Sequence, residues 1–306
     1  MANPKCRWES PSEWSEWNAW LAAGLDARHR WRLPMLLTGI LFARGRRTVS
    51  TWLRAAGVSD DYADYYYFLA SVGRNSELLA TQLLVLVLRT LPLPERLLAV
   101  IDDSPTKRYG PKVEGADIHR NPTPGSADQK YLYGHIWVTL SLCVRHPLWG
   151  AMALPLRAVL YVRQKTMPTI PRKRGWKFRT KLDLAGRLVE WIAPVAEQAG
   201  KTLWIVVDGF CTKLPFLKRV LAEGVVVVGR LRKDAALRDL PPVLRRGQQR
   251  RRGRPRTDAE RWSPGGAGER GAWLVRPVLD RRQCQRGRDS RSVRRPSRHR
   301  TRKRTF

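Results

Sequence analysis

Residues 97–105 read Leu97-Leu98-Ala99-Val100-Ile101-Asp102-Asp103-Ser104-Pro105, an apolar run that stops at two carboxylates. A short continuous apolar run of this kind is typical of a strand buried on both faces. The same pattern returns at 202–209, where Thr202-Leu203-Trp204-Ile205-Val206-Val207 precedes Asp208-Gly209. We therefore predict two buried strands that each end in an aspartate.

The chain around these two strands alternates between strand-like and helical patterns. Glycine and proline delimit the segments, and the period of the apolar residues separates strands from helices. In order, we expect a long loop at Thr106–Lys130, a hairpin of strands at Gly134–Val144 and Ala151–Val162, a helix at Thr180–Ala199, a helix at Lys213–Glu223 and a third buried strand at Val225–Leu231. This order predicts a mixed α/β sheet over residues 91–256.

Residues 1–90 have helical spacing instead. We expect helices at Ser12–Leu25 and Leu33–Ala43, a short helix after Thr48 that stops at Gly57, and another at Asp60–Leu69. Two short helices joined by a glycine turn are compatible with a DNA-binding helix-turn-helix, but an ordinary helical hairpin has the same pattern. This segment is therefore interpreted as a helical N-terminal domain with a possible role in DNA binding.

The charge of the chain is strongly positive. There are 58 Lys+Arg against 26 Asp+Glu among 306 residues, a formal net charge of +32. A field of this sign attracts polyanions, so nucleic acid is the expected partner, although a ribosomal-type basic protein or a merely solvated surface would give the same number.

The composition changes near Arg245. Residues 245–306 hold 22 Lys+Arg and 5 Asp+Glu, and apolar periodicity ends at Thr257. A segment of this composition cannot build a packed core. Two interpretations remain open for residues 257–306: a disordered Arg-rich tail that grips phosphates, or the product of a GC-rich gene read out of frame.

Other residue classes exclude several functions. The four cysteines, Cys6, Cys143, Cys211 and Cys284, match neither a zinc motif nor a disulfide framework, so we expect reduced thiols. His119, His135 and His146 have no ligand-spaced partners, and His135 is expected to be a hydrogen-bonded structural residue. No apolar run is long enough to cross a bilayer, and no leader opens the chain, which predicts a soluble cytoplasmic protein without a membrane partner.

The two strand-end aspartates indicate a metal site. Function in open α/β sheets gathers where strands end, and Mg²⁺ binds through one or two carboxylates together with substrate phosphates. Two such ions can clamp both oxygens of a phosphoryl displacement. The alternative is that Asp102 and Asp208 are ordinary cap or turn residues.

These segments resemble the catalytic core of DDE-type insertion-sequence transposases, which has the ribonuclease H-like fold. The resemblance lies in Val100–Gly110, in Lys130–Val138 and in Trp204–Gly209, and residues 32–90 resemble the helical amino-terminal region of those enzymes. It implies a ribonuclease H-like mixed sheet with flanking helices, a helical domain before it and a basic tail after it.

The resemblance also implies roles for individual residues. Asp102, two residues before Ser104, resembles the first metal-binding aspartate, with Asp103 as the alternative, and Asp208 resembles the second. Neighbours in a strand face opposite sides, so only one of Asp102 and Asp103 can share a metal with Asp208. The implied cofactor is Mg²⁺ or Mn²⁺. The implied reaction is water-dependent cleavage at a transposon end, followed by attack of the freed 3′ hydroxyl on target DNA.

One part of the family pattern is missing. The resemblance implies a third carboxylate, a Glu on a helix beyond Val225–Leu231, and neither Glu260 nor Glu269 lies in an apolar helical pattern. A truncated or frameshifted copy would explain this departure, and such a copy should be impaired in catalysis. Family members pair on DNA ends, which implies a possible homodimer, but no residue pattern identifies its interface.

Basic residues near the strand ends are candidates for contacts with DNA phosphates, which position a duplex without reading its sequence. Solvated surface charge is the alternative for each of them. The candidates near the strand ends are Lys107, Arg108, Lys112, Arg120, Arg172, Lys173, Arg174 and Lys177. A further set, Arg251, Arg252, Arg254 and Arg256, belongs to a basic linker run that resembles the arms by which some proteins enter the minor groove of DNA.

The sequence thus supports two hypotheses. The first is a Mg²⁺-dependent DNA transposase that acts on terminal inverted repeats and target DNA. The second is an inactive DNA-binding remnant of such an enzyme. A basic RNA-binding protein is less favoured, because the chain lacks the aromatic strand motifs of the common RNA modules.

Overall fold

The computed structural model describes residues 11–60, 62–110, 112–121 and 129–230, together with the residue pairs 237–238 and 261–262. Of the predicted basic tail, residues 257–306, only Arg261–Trp262 is among them, and the candidates Arg251, Arg252, Arg254 and Arg256 lie outside the described residues. Within the described part, no helix is both long and apolar enough for a membrane span.

The region before the sheet is helical, as predicted. Its helices are α1 (Ser12–Ala22), α2 (Arg32–Phe42), α3 (Val49–Ala55), α4 (Tyr62–Arg74) and α5 (Ser76–Thr90). Thr48 caps α3, because its side chain accepts a hydrogen bond from the Thr51 amide. Leu36 and Leu53 are almost fully buried with Tyr65 and Phe68, so α2, α3 and α4 share one apolar core.

A mixed sheet with flanking helices follows. Its strands are β1 (Arg96–Lys107), β2 (Asp117–Arg120), β3 (Tyr131–His146), β4 (Gly150–Tyr161), β5 (Thr202–Val207) and β6 (Val226–Gly229). The strand order is β2-β3-β1-β5-β6, and β4 also pairs with β3. The β2–β3 pair is antiparallel and the β5–β6 pair is parallel. Residues Leu237–Arg238 (β7) and Arg261–Trp262 (β8) form a separate antiparallel pair.

Two helices follow strands of this sheet. Helix α6 spans Lys181–Gln198 and α7 spans Leu214–Val220, with short 3₁₀ turns at Gln164–Thr169, Arg172–Arg174 and Leu221–Glu223. The apolar face predicted for α6 is confirmed, because Ala185, Leu188, Val189 and Ile192 are at most 1% exposed.

The register of β1 and β5 follows from one hydrogen bond. The Thr202 amide donates to the Glu95 carbonyl oxygen at 2.9 Å, which places the beginnings of the two neighbouring strands side by side. In a parallel ladder an amide bonds to the residue before its partner, so Thr202 stands opposite Arg96. If the same parallel register is carried six residues further, Asp208, the residue directly after β5, stands opposite Asp102.

Two expectations from the sequence are wrong. First, β1 does not end at Asp102 but continues to Lys107. It does so because β3 lies beside it: Gly134 is so close that a Cβ there would meet the Thr106 carbonyl oxygen at 2.1 Å. Second, the expected loop Thr106–Lys130 contains strand β2, which pairs with Tyr131–Gly134 of β3.

The chain divides into two compact units. One takes the described residues up to Leu97 with 139–159 and 194–202, and the other takes 98–138, 160–193 and the described residues from Leu203 onward. The three-domain division at residues 90 and 256 remains a prediction. Asp102, Asp103, Lys181 and Asp208 all belong to the second unit.

Candidate active site

The site is built on the adjacent strands β1 and β5. Leu97, Ala99 and Ile101 of β1 are buried, as are Leu203 and its alternating neighbours on β5. Asp102 and Asp208 alternate in sequence with these buried residues, so their side chains lie on the opposite face of the sheet. Both residues are exposed. The register therefore puts the two carboxylates on one face of the sheet at the same level.

The electrostatics of Asp102 support this proximity. Although Asp102 is exposed, desolvation of its carboxyl by the surrounding atoms raises the pKa of this group, and the negative charges of Asp103 and Asp208 raise it further. The Asp103 amide, which donates to Asp102 Oδ1 at 2.8 Å, and the Lys181 ammonium oppose the rise in pKa. Asp102 thus carries a charge that its surroundings compensate incompletely, and a bound cation would compensate it.

A tight turn orients Asp208. Its Oδ1 accepts hydrogen bonds from the amides of Phe210 and Cys211, each at 3.1 Å. Cys211 is buried, and burial together with the nearby Asp208 carboxylate raises the pKa of its thiol to about 12. The thiol is therefore protonated at neutral pH and supports the turn rather than acting as a nucleophile.

Asp103 has a different environment from Asp102. By strand parity it lies on the opposite face of β1, and its Oδ2 forms an ion pair with the ammonium of Lys181, the first residue of α6. The Lys181 ammonium also lies 5.5 Å from the centre of the Tyr161 ring and 5.9 Å from that of Phe210. Asp103 is thus neutralised by a lysine, which leaves Asp102 as the partner of Asp208.

The donors present suit a hard divalent cation. Two carboxylates on one face, one of them with a raised pKa, form the acidic pair that Mg²⁺ uses together with water and phosphate oxygens. Within the described ranges, however, no group of three or more His, Cys, Asp or Glu side chains could hold a metal ion. The described residues supply two carboxylate ligands and not a third.

Comparison with known proteins gives the family. A sequence profile for DDE superfamily endonucleases matches residues 21–292, which include both strands of the site. The chain belongs to this family. No curated protein matches the sequence. Membership confirms the resemblance found in the motifs around Asp102 and Asp208, and it implies a nuclease that acts on DNA.

In this DDE endonuclease, two of the predicted DNA-binding residues belong to one hydrogen-bonded network. Arg108 Nε donates to His135 Nδ1 at 3.1 Å, and His135 Nε2 bonds to the Glu114 carbonyl oxygen at 2.9 Å. The Glu114 carboxylate accepts two bonds from Arg174, at 2.8 and 3.0 Å. The network joins the segment after β1 to β3 and to the 3₁₀ turn at 172–174.

The same hydrogen bonds define the tautomer of His135. A carbonyl oxygen only accepts, so Nε2 carries the proton, and Nδ1 accepts from Arg108. Both ring nitrogens of His135 are therefore hydrogen-bonded, as expected of a structural residue. The expected absence of a disulfide also holds for the two described cysteines, because Cys143 and Cys211 are free thiols.

The other described candidates are exposed side chains. Lys107 ends β1, Arg120 ends β2, Arg172 and Lys173 lie in a 3₁₀ turn, and Lys112 and Lys177 lie in connecting segments. Arg174 is satisfied by Glu114, and this pairing lowers the pKa of the Glu114 carboxyl.

Sequence reasoning missed Lys181 and the aromatic residues near it. Lys181 lies 78 residues from Asp103, and no spacing rule connects the two. A weak signal was present for Phe210, because it follows the Asp208-Gly209 pair directly in the sequence.

Proposed function

We propose that this DDE endonuclease is an insertion-sequence transposase, which cuts DNA at terminal inverted repeats and transfers the freed strand to target DNA with Mg²⁺ or Mn²⁺. The observation that carries the proposal is the pairing of Asp102 and Asp208 on adjacent strands, where desolvation and the charges of Asp103 and Asp208 raise the pKa of Asp102. We further propose that it acts in the cytoplasm, on DNA, as a homodimer.

The residues of the site have separate tasks in this proposal. Asp102 and Asp208 hold the cation, the amides of Phe210 and Cys211 orient Asp208, and Lys181 keeps Asp103 engaged. A bound Mg²⁺ or Mn²⁺ supplies positive charge where charge develops on the phosphate oxygens. Asp103 is thereby assigned a supporting position rather than a ligand role.

The basic candidates supply DNA affinity. We propose phosphate contacts for Lys107, Lys112, Arg120, Arg172, Lys173 and Lys177, with Arg108 and Arg174 held in place by His135 and Glu114. The candidates Arg251, Arg252, Arg254 and Arg256 are proposed to extend the same contact along the chain. Binding that rests on phosphates weakens steeply as salt is added, because it releases counterions.

A second function is favoured by one observation. In the described part of the chain the acidic pair has no third partner of the kinds that ligate metals. We therefore propose as the alternative an inactive DNA-binding remnant, in which the third carboxylate is missing. The family match continues to residue 292, so Glu260 and Glu269 fall within the matched region and must be tested directly.

The decisive experiment is nicking of a supercoiled plasmid that carries the DNA flanking the gene, with the full chain and either Mg²⁺ or Mn²⁺. An active transposase converts the plasmid to open circles only with metal, and Asp208→Asn abolishes the conversion. Retention of the plasmid in a gel shift without any metal-dependent nicking would support the remnant instead. Absence of both binding and nicking would overturn both proposals.

A matched set of variants locates the third carboxylate. Glu260→Gln and Glu269→Gln each remove one charge without a change in size. If this copy lacks the third carboxylate, neither substitution alters the residual nicking rate. If one of them lowers the rate as far as Asp208→Asn does, the missing-residue proposal is wrong and that glutamate is the third ligand.

A further inference from the structure

The surface beside the acidic pair carries aromatic rings and cations in an alternating arrangement. Phe210 follows Asp208 in the same turn, and the Lys213 ammonium lies 4.5 Å from the centre of its ring. Lys181 lies within 6 Å of both the Phe210 and the Tyr161 ring centres. We call Tyr161, Phe178 and Phe210, with Lys181 and Lys213, the aromatic row.

An open cavity adjoins this row. It measures about 490 Å³ and is lined by Tyr161, Phe178, Arg163, Lys165 and Gln164. This volume lies within the range of about 300–1,000 Å³ that is usual for ligand-binding clefts. Its wall combines two aromatic faces with two cationic side chains, and one carboxylate, Asp117, pairs with both cations.

The exposure of the rings needs a physical reason. Phe210 is 45% exposed and Phe178 is 39% exposed, although burying a phenylalanine is worth about 1.5–3 kcal/mol. Both rings differ in this from Phe216 of α7, which is fully buried in the core. Exposed aromatic rings interleaved with cations are the chemistry that binds unpaired nucleic-acid strands, because every base has a face that stacks and every linkage a negative charge.

We propose that the aromatic row is a binding site for single-stranded DNA, in which an unpaired base stacks on Phe210 and Lys213 contacts the neighbouring phosphate. The site rests on the proposed function for its biological use, since it would hold the strand released next to Asp102 and Asp208. Lys213 suits the phosphate contact because no carboxylate among the described residues pairs with it. The cavity walled by Tyr161 and Phe178 accepts the next base along the strand.

The test measures binding of the full chain to a fluorescent 12-nucleotide oligothymidine and to a duplex of the same length, with EDTA present. Phe210→Leu keeps the charge and most of the volume but removes the stacking face, and we expect it to weaken single-strand binding about 10-fold. Phe210→Trp restores a face and should keep wild-type affinity. Duplex binding should change less than 2-fold in both variants.

A matched control separates stacking at the row from loss of any exposed ring. Trp149 is 70% exposed and lies in the turn between β3 and β4, so Trp149→Leu should leave both affinities unchanged. The proposal is overturned if Phe210→Leu binds the single strand as wild type does, or if it loses single-strand and duplex binding equally. A folding defect is recognised because it would also affect Phe210→Trp and lower the melting temperature.

Single-strand binding at the aromatic row and metal-dependent nicking are measured separately, so that either one can fail without the other. Binding is measured without divalent metal, and the doubly substituted chain Asp102→Asn/Asp208→Asn should bind the oligothymidine at least as tightly as wild type, because two negative charges are gone. Single-strand binding without nicking would support the aromatic row and leave the remnant as the function. Nicking without selective single-strand binding would support the transposase and reject the aromatic row.

Discussion

Two acidic clusters in the second unit share residue types but not chemistry. At the site, Asp102 and Asp208 stand opposite each other, and the pKa of Asp102 is raised. On α6, Asp183 and Glu190 both bond to the guanidinium of Arg219, and the pKa of Asp183 is lowered by its hydrogen bonds to Arg179 and Arg219 despite partial burial.

The difference shows which cluster is built for the fold and which is left open to a ligand. An arginine fork satisfies both carboxylates on α6 and ties α6 to α7, so that cluster needs nothing further. At the site, the ammonium of Lys181 acts on the pKa of Asp102 but forms its ion pair with Asp103. Equal numbers of carboxylates therefore give a structural clamp in one place and a candidate cation site in the other.

The largest expected effect concerns cleavage. Asp102→Asn should lower the rate of metal-dependent nicking by about 10³-fold, since it removes a cation ligand and misplaces the reacting groups. Asp183→Asn is the matched control, with the same loss of charge in the other cluster, and should stay within 3-fold of wild type. Rates come from initial nicking of supercoiled plasmid. Equal losses of nicking rate in Asp102→Asn and Asp183→Asn would contradict the assignment of only the first cluster to cation binding.

The next effect is on stability. Arg219→Met should lower the free energy of unfolding by about 1–2 kcal/mol, because Asp183 and Glu190 are partly buried and would lose their shared cation. Urea titration followed by circular dichroism measures the midpoint. Arg219→Lys keeps the charge but not the fork, and an intermediate midpoint is expected. A wild-type midpoint for Arg219→Met would show that the cluster contributes nothing.

A smaller effect tests the choice between neighbouring aspartates. Asp103→Asn should lower the nicking rate by about 10-fold or less, because Asp103 acts only through its ion pair with Lys181. Lys181→Met should behave like Asp103→Asn, and the double variant should be no worse than either single one. If Asp103→Asn lowers the nicking rate as much as Asp102→Asn does, the assignment of Asp102 and not Asp103 to the same face as Asp208 is wrong.

The smallest effect is the pH dependence of stability. A carboxyl whose pKa is raised on folding costs stability once the pH passes its ordinary value of ~3.9, so Asp102→Asn should stabilise the chain slightly at pH 7 and not at pH 3. Asp183 has a lowered pKa and contributes stability above that value, so Asp183→Asn should destabilise at pH 7 only. Melting temperatures at the two pH values check both signs.

Much of the fold was predictable because it depends on local pattern. The apolar runs that end in Asp102 and Asp208 predicted two buried strands, and the spacing of Leu188 and Ile192 predicted the buried face of α6. Strand β2 was missed because Asp117–Arg120 is short and mostly polar, and only pairing with β3 makes it a strand. The continuation of β1 past Asp103 was missed for the same reason.

The sequence by itself determined the family, the two aspartates that directly follow apolar runs and the positive charge, because each is a property of residue types and their order. Only the tertiary structure decided which aspartate faces Asp208, since that depends on the register of β1 and β5 and on Lys181, 78 residues away from Asp103. The aromatic row likewise joins residues from three separate segments. Distances across a sheet arise from chain folding, and no linear pattern encodes them.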